Sequence, residues 1–190
     1  MNVTTILGSP RRKGNTAAIL SRFEELARSD HDVNRINLPR TGINGCLGCG
    51  ACQRIPDLPG CVQKDQISEI LDEICRADLV VYASPVYVWD VSTQMKALLD
   101  RLCSCTKWNT EGAPRALLNG RSAMLLTTCG GKAETNVDLI TEIFRREMLY
   151  LQCHVAGIHA VDNCTEPAAL GARAEDTATR MVADLSTALA

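Results

Sequence analysis

Hydrophobic residues in this chain form five short runs that alternate with five stretches of helical spacing. The runs cover residues 3–7, 33–38, 79–83, 123–127 and 155–161. The run at residues 79–83 is almost continuously apolar, which is typical of a parallel strand buried on both faces. Between the runs, apolar residues recur every three or four positions, as in amphipathic helices. The predicted helices cover residues 16–27, 67–75, 91–102, 140–148 and 165–190.

Strands that alternate with helices require right-handed crossovers, which place helices on both faces of one parallel sheet. The sequence therefore predicts a three-layer α/β fold with a five-stranded parallel sheet in the order 2-1-3-4-5. The length of 190 residues suits a single domain over residues 1–190. In this order the chain changes direction between strands 1 and 3, so we expect a ligand crevice at their carboxyl ends.

The loop after the first strand, residues 8–16, leads directly into a helix N-terminus. Free backbone N–H groups and the positive end of the helix dipole make such a junction an anion site, and Arg11, Arg12 and Lys13 add three cations. The loop has neither the Walker nor the dinucleotide glycine pattern, which favours a phosphate monoester over a nucleoside triphosphate. The alternative is a basic turn that only caps the helix. The residues expected to bind the phosphate are Ser9, Arg11, Arg12, Gly14, Asn15, Thr16 and Ala17.

The order Ser9-Pro10-Arg11 and then Gly14-Asn15-Thr16 resembles the FMN-phosphate loop of flavodoxin-like NADPH-dependent FMN reductases and of the related iron-sulfur flavoproteins. The resemblance continues at residues 83–87, 96–101 and 128–131, in the order of those families, and covers most of the chain. It implies a flavodoxin-like fold, FMN as cofactor, NAD(P)H as electron donor, and a homodimer or homotetramer. The long connection at residues 103–119 is a candidate segment to reach a neighbouring subunit.

Two later segments are expected at the same edge of the sheet. The first contains a proline that fixes the backbone and two aromatic side chains that can cover a flat ring, and the second contains two glycines that let the backbone approach a ligand closely. The alternative is that the aromatic residues pack under the loop and the glycines make an ordinary turn. The predicted FMN-binding residues are Ser84, Pro85, Val86, Tyr87, Val88 and Trp89 in the first segment and Thr128, Cys129, Gly130 and Gly131 in the second.

A cysteine-rich loop occupies residues 43–64. Cys46, Cys49 and Cys52 are separated by two residues each, with glycines between them, and Cys61 follows, so four thiolates can converge on one point. Zinc and free or redox-active thiols are open alternatives to an iron-sulfur cluster. The resemblance favours a 4Fe-4S cluster. Four of the other six cysteines lie on or near apolar patterns, and we interpret them as small buried hydrophobic residues; they are Cys75, Cys103, Cys153 and Cys164.

Composition narrows the range of partners. The net charge of −2 gives no support for nucleic-acid binding. No run approaches the length of a membrane span, and the first strand begins at the N-terminus, so we expect a cytoplasmic protein with reduced thiols.

No arrangement of Ser/His/Asp or Cys/His nucleophiles is evident, so a flavin would carry the chemistry. The predicted function is an FMN-dependent oxidoreductase that uses NAD(P)H to reduce a flavin, a quinone or a similar small-molecule acceptor. The alternative is an iron-sulfur flavoprotein that exchanges electrons with a ferredoxin-like carrier. A flavin-binding sensor without a substrate is a third interpretation.

Overall fold

The computed structural model describes residues 1–108 and 112–187. Its strands are β1 Asn2–Leu7, β2 Asp32–Asn37, β3 Leu79–Pro85, β4 Thr106–Lys107, β5 Arg115–Ala116, β6 Ser122–Thr128 and β7 His154–Val161. Its helices are α1 Asn15–Ala27, α2 Ile67–Arg76, α3 Thr93–Arg101, α4 Asp138–Tyr150 and α5 Ala172–Thr187. None of these helices combines the length and the apolar character that crossing a membrane requires.

The main sheet has the order β2-β1-β3-β6-β7, and all four pairings are parallel. Counted over this sheet alone, the order is 2-1-3-4-5, so the predicted topology is confirmed. Alternate residues of β3 enter different cores. Val81 packs in a core with α1 and α5, whereas Tyr82 packs in a core with α2, α3 and α4. The helices therefore cover both faces, as predicted.

Several predicted element ends are corrected by the structure. Helix α1 begins at Asn15, one residue earlier than predicted, and its N-cap, Gly14, makes no side-chain capping bond. Helix α3 begins two residues later than predicted, because the Ser92 side chain caps it by accepting a hydrogen bond from the Met95 N–H. The closing helix begins at Ala172 rather than residue 165, because Gly171 interrupts it with a φ of 52°. Before that glycine, Pro167–Leu170 forms a separate 3-10 turn, and residues 188–190 lie outside the described part.

The predicted long connection at residues 103–119 contains a small antiparallel hairpin, β4–β5. Its described residues pack on the cysteine-rich loop of the same chain. The Gln53 side chain donates to the Thr106 carbonyl at 2.9 Å and accepts from the Trp108 N–H at 3.0 Å, while Arg115 donates to the Pro56 carbonyl at 2.6 Å. The described part of this segment thus contacts the cysteine-rich loop of its own chain, and its reach to a neighbouring subunit stays a prediction; residues 109–111 lie outside the described part.

Glu147 on α4 is a partly buried carboxyl group. Burial, with Asp100 and Asp90 nearby and only Lys96 opposing, raises its pKa to about 7. Among the described residues, its Oε2 atom has no hydrogen-bond partner. Folding therefore holds a proton on Glu147 at pH values where the unfolded chain has released it, so this group removes stability as the pH rises from about 4.5 to about 7.

Replacing Glu147 with glutamine should raise the free energy of unfolding at pH 8 by about 1–2 kcal/mol, since one pKa unit corresponds to about 1.4 kcal/mol and partial exposure reduces the effect. At pH 4 the gain should vanish, because both states of the wild type are then protonated. Urea unfolding at the two pH values measures the difference. Glu142→Gln, on the exposed side of the same helix, is the matched control. An equal gain at both pH values would contradict the assignment to the raised pKa.

Candidate functional site

A cleft of about 370 Å³ opens at the carboxyl edge of the sheet. The loops after β1, β3, β6 and β7 form its walls, which is where parallel α/β sheets bind ligands. The predicted residues that line it are Ser9, Arg11, Gly14, Asn15, Thr16, Pro85, Val86, Tyr87, Thr128, Cys129 and Gly130. Three separate predicted segments thus meet at one site.

The β1–α1 loop is folded back on itself by its own hydrogen bonds. The Ser9 Oγ atom accepts from the Arg11 N–H at 3.2 Å, and the Arg11 carbonyl accepts from the Gly14 N–H at 3.0 Å. A side chain at Gly14 would lie 3.0 Å from the Arg11 Cβ atom, so this close turn favours glycine. The turn places the uncapped N-terminus of α1 at the cleft, where its first N–H groups have no partner within the helix.

Two polar groups at this N-terminus connect the loop to the cleft. The Thr16 hydroxyl lies 2.7 Å from the Thr128 hydroxyl, which joins the β1–α1 loop to the end of β6. The Asn15 Oδ1 atom is buried and has no hydrogen-bond partner in the described part of the chain. Arg11 and Lys13 also line the cleft, and no carboxylate among the described residues pairs with either side chain. The cleft therefore offers hydrogen-bonding groups and positive charge that no other described residue pairs with.

The loop after β3 is held in place by buried serines. The Ser92 hydroxyl donates to the Gly8 carbonyl at 2.7 Å, and the Ser92 N–H donates to the Ser84 hydroxyl at 2.9 Å. A side chain at Gly8 would lie 2.9 Å from the Met95 Cβ atom, so only glycine allows α3 to approach β1 this closely. Ser84 is therefore a support of the cleft rather than part of its lining.

The tip of this loop turns tightly at Val88 and Trp89, which have φ values of 52° and 60°. The turn is closed by two hydrogen bonds between the backbones of Tyr87 and Asp90, as in the two-residue turns of β-hairpins. The Trp89 Nε1 atom donates to the Thr135 carbonyl at 3.0 Å. Tyr87 alone of the two predicted aromatic residues lines the cleft. The predicted residues outside the lining are Arg12, Ala17, Ser84, Val88, Trp89 and Gly131.

One wall of the cleft was not predicted from the sequence. Residues 164–167, which follow β7, complete the lining. These residues were assigned to the predicted helix at residues 165–190 and not to a loop. Two features indicate a loop at the site: its position after a parallel strand, and its proline. Cys164 is therefore a cleft residue and not only a small core residue. Its N–H donates to the Cys129 carbonyl at 2.9 Å, which ties this wall to the loop after β6. Burial raises the pKa of both thiols.

The four predicted metal-binding cysteines line a second pocket of about 200 Å³, together with Cys103. Cys46 and Cys49 are exposed, whereas Cys52 and Cys61 are half-buried. Gly48 and Gly50 have φ values of 63° and 67°, which let the loop turn tightly between the cysteines.

Cys103 extends this group by one thiol that sequence spacing did not indicate. Its Sγ atom lies 3.9 Å from the Cys46 Sγ atom. Burial and the nearby Cys46 raise the pKa of Cys103 to about 12, so it is a neutral thiol at pH 7 in the metal-free protein.

Two buried cations support the second pocket. Arg101 forms a two-point ion pair with Asp65, at 2.9 and 3.1 Å. The same guanidinium donates to the Asn44 carbonyl at 2.8 Å and to the Cys61 Sγ atom at 3.1 Å. The Lys107 ammonium donates to the carbonyls of Cys52 and Pro59 at 2.9 and 3.3 Å. Both ends of the cysteine-rich loop are therefore anchored to buried positive charge.

Within the described residues, the cysteine pocket is not preformed for a single metal ion. In the described ranges, no three His, Cys, Asp or Glu side chains converge closely enough to hold one metal ion. The thiols of Cys46, Cys49, Cys52 and Cys61 share this pocket with Cys103. N–H donors from the Gly48 backbone and from Arg101 are directed at the sulfur atoms of Cys46 and Cys61.

Comparisons with known proteins agree with this fold. An iron-sulfur flavoprotein of Archaeoglobus fulgidus is 38% identical over 103 residues, which are 54% of this chain and 46% of that protein. An FMN-dependent NADH:quinone oxidoreductase of Methylocella silvestris is 31% identical over 126 residues, 63% of this chain and 61% of that protein. The chain thus spans less than two thirds of either relative.

A solved structure with the same fold is an FMN-dependent NADH-azoreductase of Bacillus anthracis in complex with FMN. It superposes with a TM-score of 0.70 at 15% identity and covers 99% of this chain and 100% of that one. The model of the family described as NADPH-dependent FMN reductase matches residues 1–161. Because this match extends over most of the 190 residues, the chain belongs to the NADPH-dependent FMN reductase family.

Proposed function

We propose that this protein is an FMN-dependent oxidoreductase that uses NAD(P)H to reduce a flavin, a quinone or a similar small-molecule acceptor. The observation that carries the proposal is the cleft at the carboxyl edge, where an uncapped helix N-terminus, two unpaired cations and a buried amide oxygen lie together among the described residues. A phosphate monoester satisfies the cations and the free N–H groups. Asn15 Oδ1 is suited to accept a hydrogen bond from a ribityl hydroxyl.

The remaining walls suit the ring of FMN. Pro85 and Val86 bring backbone to the cleft, and Gly130 adds backbone without a side chain. Tyr87 is 41% exposed at the rim, so its ring can lie beside a flat ligand. When bound, FMN supplies hydride and single-electron chemistry at its own ring, while the protein orients the flavin and leaves one face accessible.

We expect the purified protein to hold one FMN per chain and to oxidise NAD(P)H when a quinone or free flavin is added. Chromatography of the released cofactor identifies the flavin, and absorbance at the nicotinamide band measures turnover with NADPH and NADH separately. FAD in place of FMN, or no flavin after reconstitution with excess FMN, would contradict the proposal. FMN without turnover with either donor would favour the sensor interpretation.

A second candidate function is supported by the cysteine pocket. We propose that Cys46, Cys49, Cys52 and Cys61 bind a 4Fe-4S cluster, which supplies single-electron exchange with a ferredoxin-like carrier. Four thiols and the sulfur-directed donor Arg101 around one pocket favour it. Assays of iron and acid-labile sulfide after anaerobic reconstitution test it directly. We expect about four irons per chain in the wild type and their loss in Cys49→Ser. Absence of iron from the wild type would contradict the cluster and leave residues 43–64 as a loop with free thiols.

The homodimer or homotetramer expected from the sequence stays a prediction. The exposed side of α4 supports it, because Leu139 and Ile143 lie one turn apart there and remain accessible. The exposed Trp89 is hydrogen-bonded to Thr135, which lies just before this helix. A surface of this kind beside the cleft is suited to a second copy of the chain.

A further inference from the structure

Lys107 is a buried cation beneath the cysteine-rich loop. Its side chain is 2% exposed, and its ammonium donates to the carbonyls of Cys52 and Pro59. Within residues 1–108 and 112–187 it forms no ion pair with a carboxylate. A buried charge without a counter-charge destabilises a protein, so a negative group in the neighbouring cysteine pocket would stabilise this ammonium.

The neighbouring charges do not provide that partner. Arg101 is the nearby buried cation, and its charge is already balanced by Asp65. Arg115, across the β4–β5 pair from Lys107, carries another positive charge and pairs with Asp57. Among these three described cations, Lys107 is therefore the one without a carboxylate partner in the described ranges.

The groups that can supply negative charge are the thiols of the cysteine pocket. Cys52 lines that pocket, and its backbone carbonyl accepts a hydrogen bond from the Lys107 ammonium at 2.9 Å. Metal binding deprotonates its cysteine ligands. A cluster held by four thiolates carries net negative charge, and reduction adds one more electron to it.

We propose that Lys107 is a positioning residue that supplies the counter-charge of an anionic iron-thiolate centre, and that its charge raises the reduction potential of that centre. The inference rests on the second candidate function. A buried positive charge stabilises the reduced form more than the oxidised form, because the reduced form is more negative by one electron. Uptake of that electron from a reductant breaks and forms no bond in the protein.

The test compares four proteins after anaerobic reconstitution with ferrous iron and sulfide. They are the wild type, Lys107→Gln, Lys107→Arg and Lys64→Gln. Glutamine keeps one hydrogen-bond donor but removes the charge, whereas arginine keeps the charge. Lys64 is exposed and lies three residues from Cys61, so water and salt screen its charge. Iron per chain, FMN per chain and the potential from a dithionite titration are measured for each.

A lower potential in Lys107→Gln, with values near that of the wild type in Lys107→Arg and Lys64→Gln, supports the inference. Iron retained in Lys107→Arg but lost in Lys107→Gln supports it as well. An unchanged potential in Lys107→Gln overturns it, as does loss of iron from both Lys107 variants, which would indicate a purely structural role. A wild type that binds FMN but no iron overturns both the inference and the cluster, and leaves the FMN-dependent function standing.

Discussion

Replacing Arg101 with methionine should lower the free energy of unfolding by about 3–5 kcal/mol, because loss of one partner leaves the other charge of a buried pair uncompensated. Arg101 is 1% exposed, and its guanidinium contacts Asp65, the Asn44 carbonyl and Cys61. Burial of Asp65 works against its ionised form, but the hydrogen bonds from Arg101 and two backbone N–H groups prevail and lower its pKa. The pair therefore stabilises the protein above the acid range and loses this effect as the pH falls and Asp65 is protonated.

Urea unfolding at pH 7 measures this change in iron-free protein. The double variant Arg101→Met/Asp65→Leu should be closer to the wild type than the single variant, since it removes both charges. Arg121→Met breaks the half-exposed pair with Asp78 and should cost at most about 1 kcal/mol. A double variant as unstable as Arg101→Met would show that the hydrogen bonds to the loop, and not the uncompensated charge, dominate.

Replacing Arg11 with alanine should weaken FMN binding by about 1.5–3 kcal/mol, the range for a hydrogen bond to a charged group. This corresponds to a loss of roughly 10- to 150-fold in affinity. Arg11 lines the cleft beside the free N-terminus of α1, whereas the adjacent Arg12 does not. Titration of the metal-free apoprotein with FMN, followed by quenching of flavin fluorescence, measures the dissociation constant.

Two further variants separate a direct contact from general attraction. Arg12→Ala removes the same charge one residue away and should weaken binding less than Arg11→Ala. Arg145→Ala removes an exposed charge from α4 and should leave FMN affinity unchanged. Equal effects of Arg11→Ala and Arg12→Ala, both abolished by salt, would mean that the loop attracts FMN only by its net charge.

The main sheet was predictable because most of its strands can be recognised from a short stretch of consecutive residues. Strands β1, β3, β6 and β7 are compact, mostly apolar runs, and alternate residues of β3 fill two different cores. The β4–β5 hairpin was not predictable, since two-residue strands have no periodicity to detect. The start of α5 was missed because the alanine-rich sequence before it favours a helix, whereas the backbone at Gly171 takes a positive φ.

The sites were predictable only as far as each segment is continuous in sequence. Residues 9–16 and 84–87 carry recognisable chemistry, and the strand order brings them together. Cys103 and Cys46 are 57 residues apart in sequence, and they meet only because of how α3 and the hairpin pack. Sequence spacing alone therefore does not indicate their contact. The orientation of Trp89 depends on a turn with positive φ at two residues that rarely adopt it, which no residue pattern indicates.

Helix α3 joins the two sites as a rigid spacer. Its N-terminal cap, Ser92, holds the start of the β1–α1 loop through the Gly8 carbonyl, and its last residue, Arg101, holds the cysteine-rich loop. Nine helical residues extend about 13 Å. Electron tunnelling slows steeply with distance, so with both proposed cofactors bound the length of α3 would contribute to how fast a flavin and a cluster exchange electrons. Adding or removing one turn of this helix would change that rate without altering a ligand of either centre.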